Sequence, residues 1–397
     1  MKYLREFNTR SEYNSFIEAT DDYPNVCLIN EDGGVAYNPP PPLPLYIEAI
    51  RPIQIKLGNN YEYSKDNKTW NKGTSSTYIY AEDGEKVLFR SSEDTITSSS
   101  TGIGQFTISG QRCKIGGNIM SMIYGSDFKD KFEIAEPYKF YRLFASNETN
   151  KNVIADVSEL ELPATTLSEG CYIGMFYNCQ SIVSAPILPA TTLASYCYME
   201  MFNNCKSLTE VPALPATTLA EKSYSNMFQS CTSLVDAPAI SATTLAKNCC
   251  LCMFYNCTSL VNAPAILPAM TLANYCYSHM FASCTSLVNA PELPATTLAY
   301  ECYGNMFDKC TSLTSAPVLP ADIRGAFYCY NGMFSGCSKL NYIKAMFTMA
   351  PDGYYTGGWV KGVAASGTFI KNSAATWENT FGTSAIPEGW TVEYADA

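Results

Sequence analysis

The chain has 397 residues, 47% hydrophobic and 16% charged, a balance that argues against disorder and allows two or three domains. Its 26 basic and 37 acidic residues give a net charge of −11, which disfavours nucleic acid as a partner because no basic face is available to displace counterions. No apolar run reaches the length of a membrane span, and residues 1–10 lack the apolar core of a secretory signal, so neither membrane insertion nor classical export is expected.

Residues 1–45 read as an extended N-terminal leader and proline-rich linker. Apolar and aromatic side chains (Leu4, Phe7, Tyr13, Phe16, Val26, Leu28) are scattered through polar sequence too short to hold a core, as expected of a docking segment. Ser11 to Ala19 suits a short helix, Val26 to Ile29 a strand, and Glu31 to Gly34 a turn into Val35–Tyr37. Pro39 to Pro42 and Pro44 favour a stiff polyproline II spacer.

Residues 46–118 alternate in short stretches and suggest a small all-β sandwich. Its candidate strands are Tyr46–Ile50, Ile53–Leu57, Tyr61–Tyr63, Tyr78–Ala81, Lys86–Arg90 and Gln105–Ile108, separated by turn residues such as Asp83-Gly84.

Residues 119–347 are organised by a repeat. After an irregular first coil, in which Lys139 to Phe144 imitates the motif, a Met-Phe pair recurs at Met175, Met201, Met227, Met253, Met280, Met306 and Met333. The surrounding phrase is Cys-Tyr-x-x-Met-Phe-x-x-Cys-x-Ser-Leu-x-x-Ala-Pro-x-Leu-Pro-Ala-Thr-Thr-Leu-Ala. A fixed period of 26–27 residues predicts stacked units that share one core, here an α/β leucine-rich-repeat solenoid of about seven to eight coils. Cys, Met and Cys at −4, 0 and +4 predict a helix laying them along its inward stripe, with a threonine of the Thr-Thr pair as its N-cap and a narrow strand rung at Val183–Ala185. The 17 cysteines are mostly columns of that stripe. In the third unit Ser223 replaces the first Cys while Cys231 remains, which argues for reduced thiols rather than disulfides within a unit. Residues 348–397, where the period fails and three of four tryptophans lie, are expected to form a β-rich C-terminal cap.

The search for chemistry yields no catalytic residue, metal or cofactor. The single histidine, His279, stands in a column that also accepts Gly174, Glu200, Asn226, Cys252, Asn305 and Gly332, as a solvent position would. Cys249, Cys250, Cys252 and Cys257 form the densest thiol cluster without the paired spacing of a zinc site. The variable positions two and three residues after each Met carry the candidate binding strip: Tyr177, Asn178, Asn203, Asn204, Tyr255 and Asn256. Tyrosine offers a flat apolar face with a polar tip, suited to glycan or protein.

The repeat resembles the BspA-type leucine-rich repeats of bacterial surface proteins, in the variant with Met-Phe-x-x-Cys-x-Ser-Leu, across roughly residues 160–345. Ala-Pro-x-Leu-Pro stands where that family carries an isoleucine-rich strand. The resemblance implies adhesion and recognition rather than catalysis. Leu4 to Thr9, Pro24 to Ile29 and Gly34 to Asn38 are similar to the opening of virion proteins from crAss-like and other Bacteroides phages. That similarity implies a phage structural protein, such as a head fibre, capsid decoration or tail-associated adhesin, made in the host cytoplasm and carried on the virion surface. The leader would dock on capsid or another virion protein, and the solenoid would meet a host-surface glycan or protein, with several copies associating. The alternatives are a bacterial cell-surface adhesin and a glycan-degrading tail enzyme.

Overall fold

The computed structural model describes residues 42–91, 106–320 and 322–396, with the backbone of residues 27–29 and 35–37. The chain divides into two compact units, Met1–Leu43 and Pro44–Ala397. In the first, β1 (Cys27–Ile29) pairs antiparallel with β2 (Val35–Tyr37), placing Leu28 opposite Ala36. The expected docking residues Leu4, Phe7, Tyr13, Phe16 and Val26, the side chain of Leu28, and the expected helix from Ser11 to Ala19 lie outside the described residues.

The second unit opens with two sheets. β3 (Tyr46–Ala49), β5 (Tyr61–Ser64), β6 (Asn71–Lys72), β8 (Lys86–Ser91), β10 (Cys113–Asn118) and β11 (Ile154–Glu161) form one, in the order β11-β10-β3-β8-β5-β6. β4 (Ile53–Lys56), β7 (Tyr78–Ala81) and β9 (Thr107–Gly110) form the other, with β4 central. Two-residue alternation drives these strands: Ile53 and Ile55 of β4 are buried, whereas Gln54 and Lys56 are partly exposed. β10 carries two glycines in its interior because a neighbour comes close. A Cβ on Gly117 would lie 2.1 Å from the Pro44 carbonyl oxygen. β11 joins β10 in parallel, so this sheet reaches past residue 118.

The repeats follow as parallel layers, each closed on the next by backbone hydrogen bonds. Within one layer the N–H groups alternate in purpose. Those of Tyr172, Gly174, Phe176 and Asn178 donate to Cys197, Met199, Met201 and Asn203 of the following layer, at 2.8–3.0 Å. Those of Ile173, Met175, Tyr177 and Cys179 donate three residues back within their own layer, at 2.9–3.2 Å. The segment is therefore a chain of four-residue turns, and each turn requires a left-handed residue: Gly170, Gly174 and Asn178 in this layer, Tyr196, Glu200 and Asn204 in the next. The two inward positions of each turn build the core, a column of Met and Cys beside one of Tyr and Phe, all buried. Phenylalanine rings stack from Phe144 through Phe176, Phe202, Phe228, Phe254, Phe281 and Phe307 to Phe334 at 5.5–5.8 Å between centroids. Phe106 and Tyr61 extend this ladder into the sheets.

The expected α/β leucine-rich-repeat solenoid is not what forms. Among the described residues the only α-helix is α1 (Ser121–Tyr124), continued by the 3₁₀ turn Gly125–Asp127, and the repeats contain none. The Cys-Met-Cys stripe does face inward, but a chain of four-residue turns returns to the same face every four residues much as a helix does. With no helix to begin, the Thr-Thr pairs cap nothing. The expected rung at Val183–Ala185 is reduced to a single bridge, Ser184 to Glu210, since the flanking prolines withhold donors. The layer bonding continues past Phe347, where the Phe334 N–H donates to Trp359. There β12 (Tyr342–Ala345), β13 (Thr368–Asn372) and β14 (Thr391–Ala395) pair in parallel.

Candidate recognition surface

Most repeated polar side chains are spent on the stack itself. At the third position after Met, where left-handed turns fall, Asn178 accepts from Asn204 Nδ2 at 2.6 Å and donates to the Ser146 carbonyl at 3.2 Å, and Asn256 donates to Ser230 Oγ at 3.2 Å. Asn203 donates to Gln229 Oε1 at 3.3 Å. Asn178 and Asn203 are only 5% and 9% exposed, so these two tie layers together from within rather than line an open surface. Tyr177 is half-buried under the Arg142 guanidinium, 4.7 Å from its ring centroid, and Arg142 also pairs with Glu200. The expected strip thus brings Tyr177, Asn178, Asn203 and Asn204 together on adjacent layers, with Tyr255 and Asn256, both half-buried, two layers further on.

The thiols are spent too. All sixteen cysteines with described side chains are free. Those four residues after Met donate to the carbonyl of the preceding layer's Phe: Cys205 to Phe176, Cys231 to Phe202, Cys257 to Phe228 and Cys284 to Phe254, at 3.1–3.2 Å. Burial pushes their acidity down, raising Cys257 to about 12 and the half-buried Cys252 to about 11. Such thiols are poor nucleophiles and poor metal ligands at neutral pH. Among the described residues no group of three or more His, Cys, Asp or Glu is placed to hold a metal. His279 is half-buried, its Nδ1 lies 3.0 Å from Ser278 Oγ, and burial lowers its pKa while Asp308 opposes that shift. Its column is a left-handed turn position, φ 55° at His279, which is why Gly and Asn recur there.

Two other columns, side by side in sequence, are not spent in this way. The threonine pairs 165–166, 191–192, 217–218, 243–244 and 296–297, with Thr271, are all exposed. Their backbones bridge from layer to layer, as at Thr192–Thr218–Thr244, yet among the described residues their hydroxyls have no protein partner. A few residues later comes a left-handed column in which tyrosine stands four times, at Tyr138, Tyr196, Tyr275 and Tyr328, with φ between 55° and 62°. A bulky side chain there costs about 1–2 kcal/mol relative to the right-handed conformation, and Gly170 and Asn248 show the cheaper occupants. Tyr300 joins this edge, its ring 5.2 Å from Tyr275 and 5.5 Å from Tyr328. In the sequence the Thr-Thr pair reads as a helix cap, which leaves these tyrosines without a role. The available signal was the recurrence of Gly and Asn every four residues, which marks turns and so frees the threonines from a capping role.

No helix of the described residues is long and apolar enough to cross a membrane. No protein-family model and no curated protein matches the chain.

Proposed function

We propose that this protein is a non-catalytic structural component of a phage particle, docked through Met1–Leu43 and presenting its layered repeats at the virion surface to a host glycan or protein. What supports the reading is the division of the chain. The segments similar to virion-protein openings fall within Met1–Leu43, a compact unit by itself, while every repeat lies in Pro44–Ala397. A second support is the use of the repeated polar groups, which tie layer to layer instead of converging on a reacting centre. Many copies on one particle would convert weak single contacts into avidity.

Immunogold labelling of intact purified particles with antibody to residues 160–345, beside a chain lacking residues 1–45, tests the proposal. Label on particles that disappears with the truncation is expected. Label confined to the bacterial cell would replace this reading with a cellular adhesin, and release of new reducing ends from host capsular glycan would replace it with an enzyme.

A further inference from the structure

We infer that the edge made by the paired threonines and the neighbouring tyrosines is a track for a linear, uncharged glycan lying along the stack axis. The inference deepens the recognition reading above and rests on it. Its first support is the contrast between polar columns. Asparagine side chains and thiols bond across layers, and Thr232, Thr285 and Thr311 have their hydroxyls 3.3–3.5 Å from carbonyls of the preceding layer. The Thr-Thr hydroxyls repeat, are exposed and have no protein partner among the described residues, whereas the motif serines Ser207, Ser233, Ser259, Ser286 and Ser312, also without a hydroxyl partner there, are half-buried. Each can donate one hydrogen bond and accept two, the pattern a sugar hydroxyl answers.

The second support is the backbone. Tyrosine occupies left-handed positions that glycine or asparagine would fill at lower cost, and two of the four, Tyr196 and Tyr275, come four residues after a threonine of the free column. A tyrosine ring covers the apolar face of a pyranose while its hydroxyl stays wet. The third is pitch. Parallel bridges place successive layers about 4.8 Å apart, close to the advance of one sugar in an extended chain, so one residue of ligand meets one layer. The richest stretch holds Thr271, Thr296 and Thr297 with Tyr275, Tyr300 and Tyr328. Its rings stand at 59° and 74° to one another and so present faces and edges in turn. The threonine columns contain no cation, and although Lys222 stands in the tyrosine column beside Tyr196, the richest stretch carries Glu301 in that column and no lysine or arginine between Thr271 and Tyr300, which selects there against carboxylated or sulfated chains.

Full-length protein titrated calorimetrically with linear β-glucan, xylan and mannan, and with oligosaccharides of the binding chain, tests this against alginate and hyaluronan. A neutral chain is expected to bind, with affinity rising as the oligosaccharide lengthens to span several layers. Tyr275→Ala combined with Tyr300→Ala should weaken binding at least 10-fold, and Thr296→Val with Thr297→Val several-fold, whereas Tyr80→Ala, at an exposed position of β7, should leave it unchanged. The Thr→Val pair keeps shape at exposed sites and guards against misfolding as the cause. Failure of all three neutral chains to bind, preference for the anionic chains, or affinity indifferent to both double variants would overturn the inference. Particle labelling that succeeds while glycan binding fails would sink the track and leave the virion reading standing.

Discussion

The sheets of residues 44–161 and the layers that follow solve the same problem by different means. Both must satisfy backbone groups around an apolar core. In the sheets a strand such as β4 pairs on both edges, with β7 and β9, and side chains alternate in and out. In the layers only every second N–H crosses to the neighbour, the others closing turns, and buried side-chain ladders of Phe, Tyr, Asn and Cys supplement the missing bonds. The sheets depend on main-chain pairing and the layers depend on stacked side chains, so perturbations that reach side-chain ladders should separate the two regions.

Raising the pH should separate them most. An unfolded thiol ionises near pH 8.5, whereas burial holds Cys179, Cys197, Cys257 and Cys302 up at about 12. Between those values the unfolded chain has released protons that the folded chain keeps, so stability falls as pH rises. Below about pH 8 it is fully present. Each such thiol contributes a loss of up to about 1.4 kcal/mol per pH unit in that window, and the layers hold most of them. Urea midpoints measured at pH 7, 9 and 10.5 should drop steeply, and protease-resistant fragments at pH 10.5 should come from the sheets. A midpoint unchanged to pH 10.5 would count against buried, protonated thiol columns.

Breaking one ladder comes next. Phe254 stacks at 5.6 Å on Phe228 and 5.5 Å on Phe281, fully buried. Phe254→Ala should cost about 3–5 kcal/mol by urea unfolding, comparable to the loss of a large core residue elsewhere. A cost under about 1 kcal/mol would mean that the ladder is ornament and the turns carry the stack.

Mending a ladder should have a smaller effect of opposite sign. Ser223 stands where other layers carry cysteine, and its buried hydroxyl has no partner. An unsatisfied buried hydroxyl costs about 1–3 kcal/mol, so Ser223→Cys should stabilise by about 1 kcal/mol. Destabilisation would show that the third layer has no room for sulfur.

The strands were easier to read than the layers for a reason that particular residues make plain. Tyr46–Ala49, Ile53–Lys56 and Tyr78–Ala81 advertise themselves by two-residue alternation, and their expected ranges match to within a residue or two. β10 escaped because Gly116 and Gly117 look like a turn, although they are there to let Tyr46 and Pro44 approach. β11 escaped because register shifts against β10 break its two-residue alternation and its acidic residues Asp156, Glu159 and Glu161 read as a polar end. In the repeats the inward columns were legible, yet a four-residue stripe is shared by helices and by chained turns, and the long apolar side chains favoured the helix. The deciding evidence lay in the outward columns, where Gly and Asn recur, and the same misreading hid the threonine–tyrosine edge. Asn178 and Asn203 read as surface groups because sequence does not reveal that a side chain already has a partner.

That ambiguity suggests the subtlest test, in which the sign matters more than the size. Lys309 is exposed and left-handed, with φ 59°, at the column occupied by Asn178, Asn204 and Gly336 in other layers. Its contact with Asp308, 3.7 Å and open to solvent, contributes little. If the segment is a chain of turns, Lys309→Gly removes a Cβ from a left-handed residue and should stabilise by about 1 kcal/mol, while Lys309→Ala changes little. If the segment were helical, glycine would instead destabilise by about 1 kcal/mol relative to alanine. Urea unfolding of the two variants at pH 7 distinguishes the cases, because the ordering of Gly and Ala reverses between them. Alanine more stable than glycine would refute the turn geometry and, with it, the reason the tyrosines beside the threonine pairs are costly to keep.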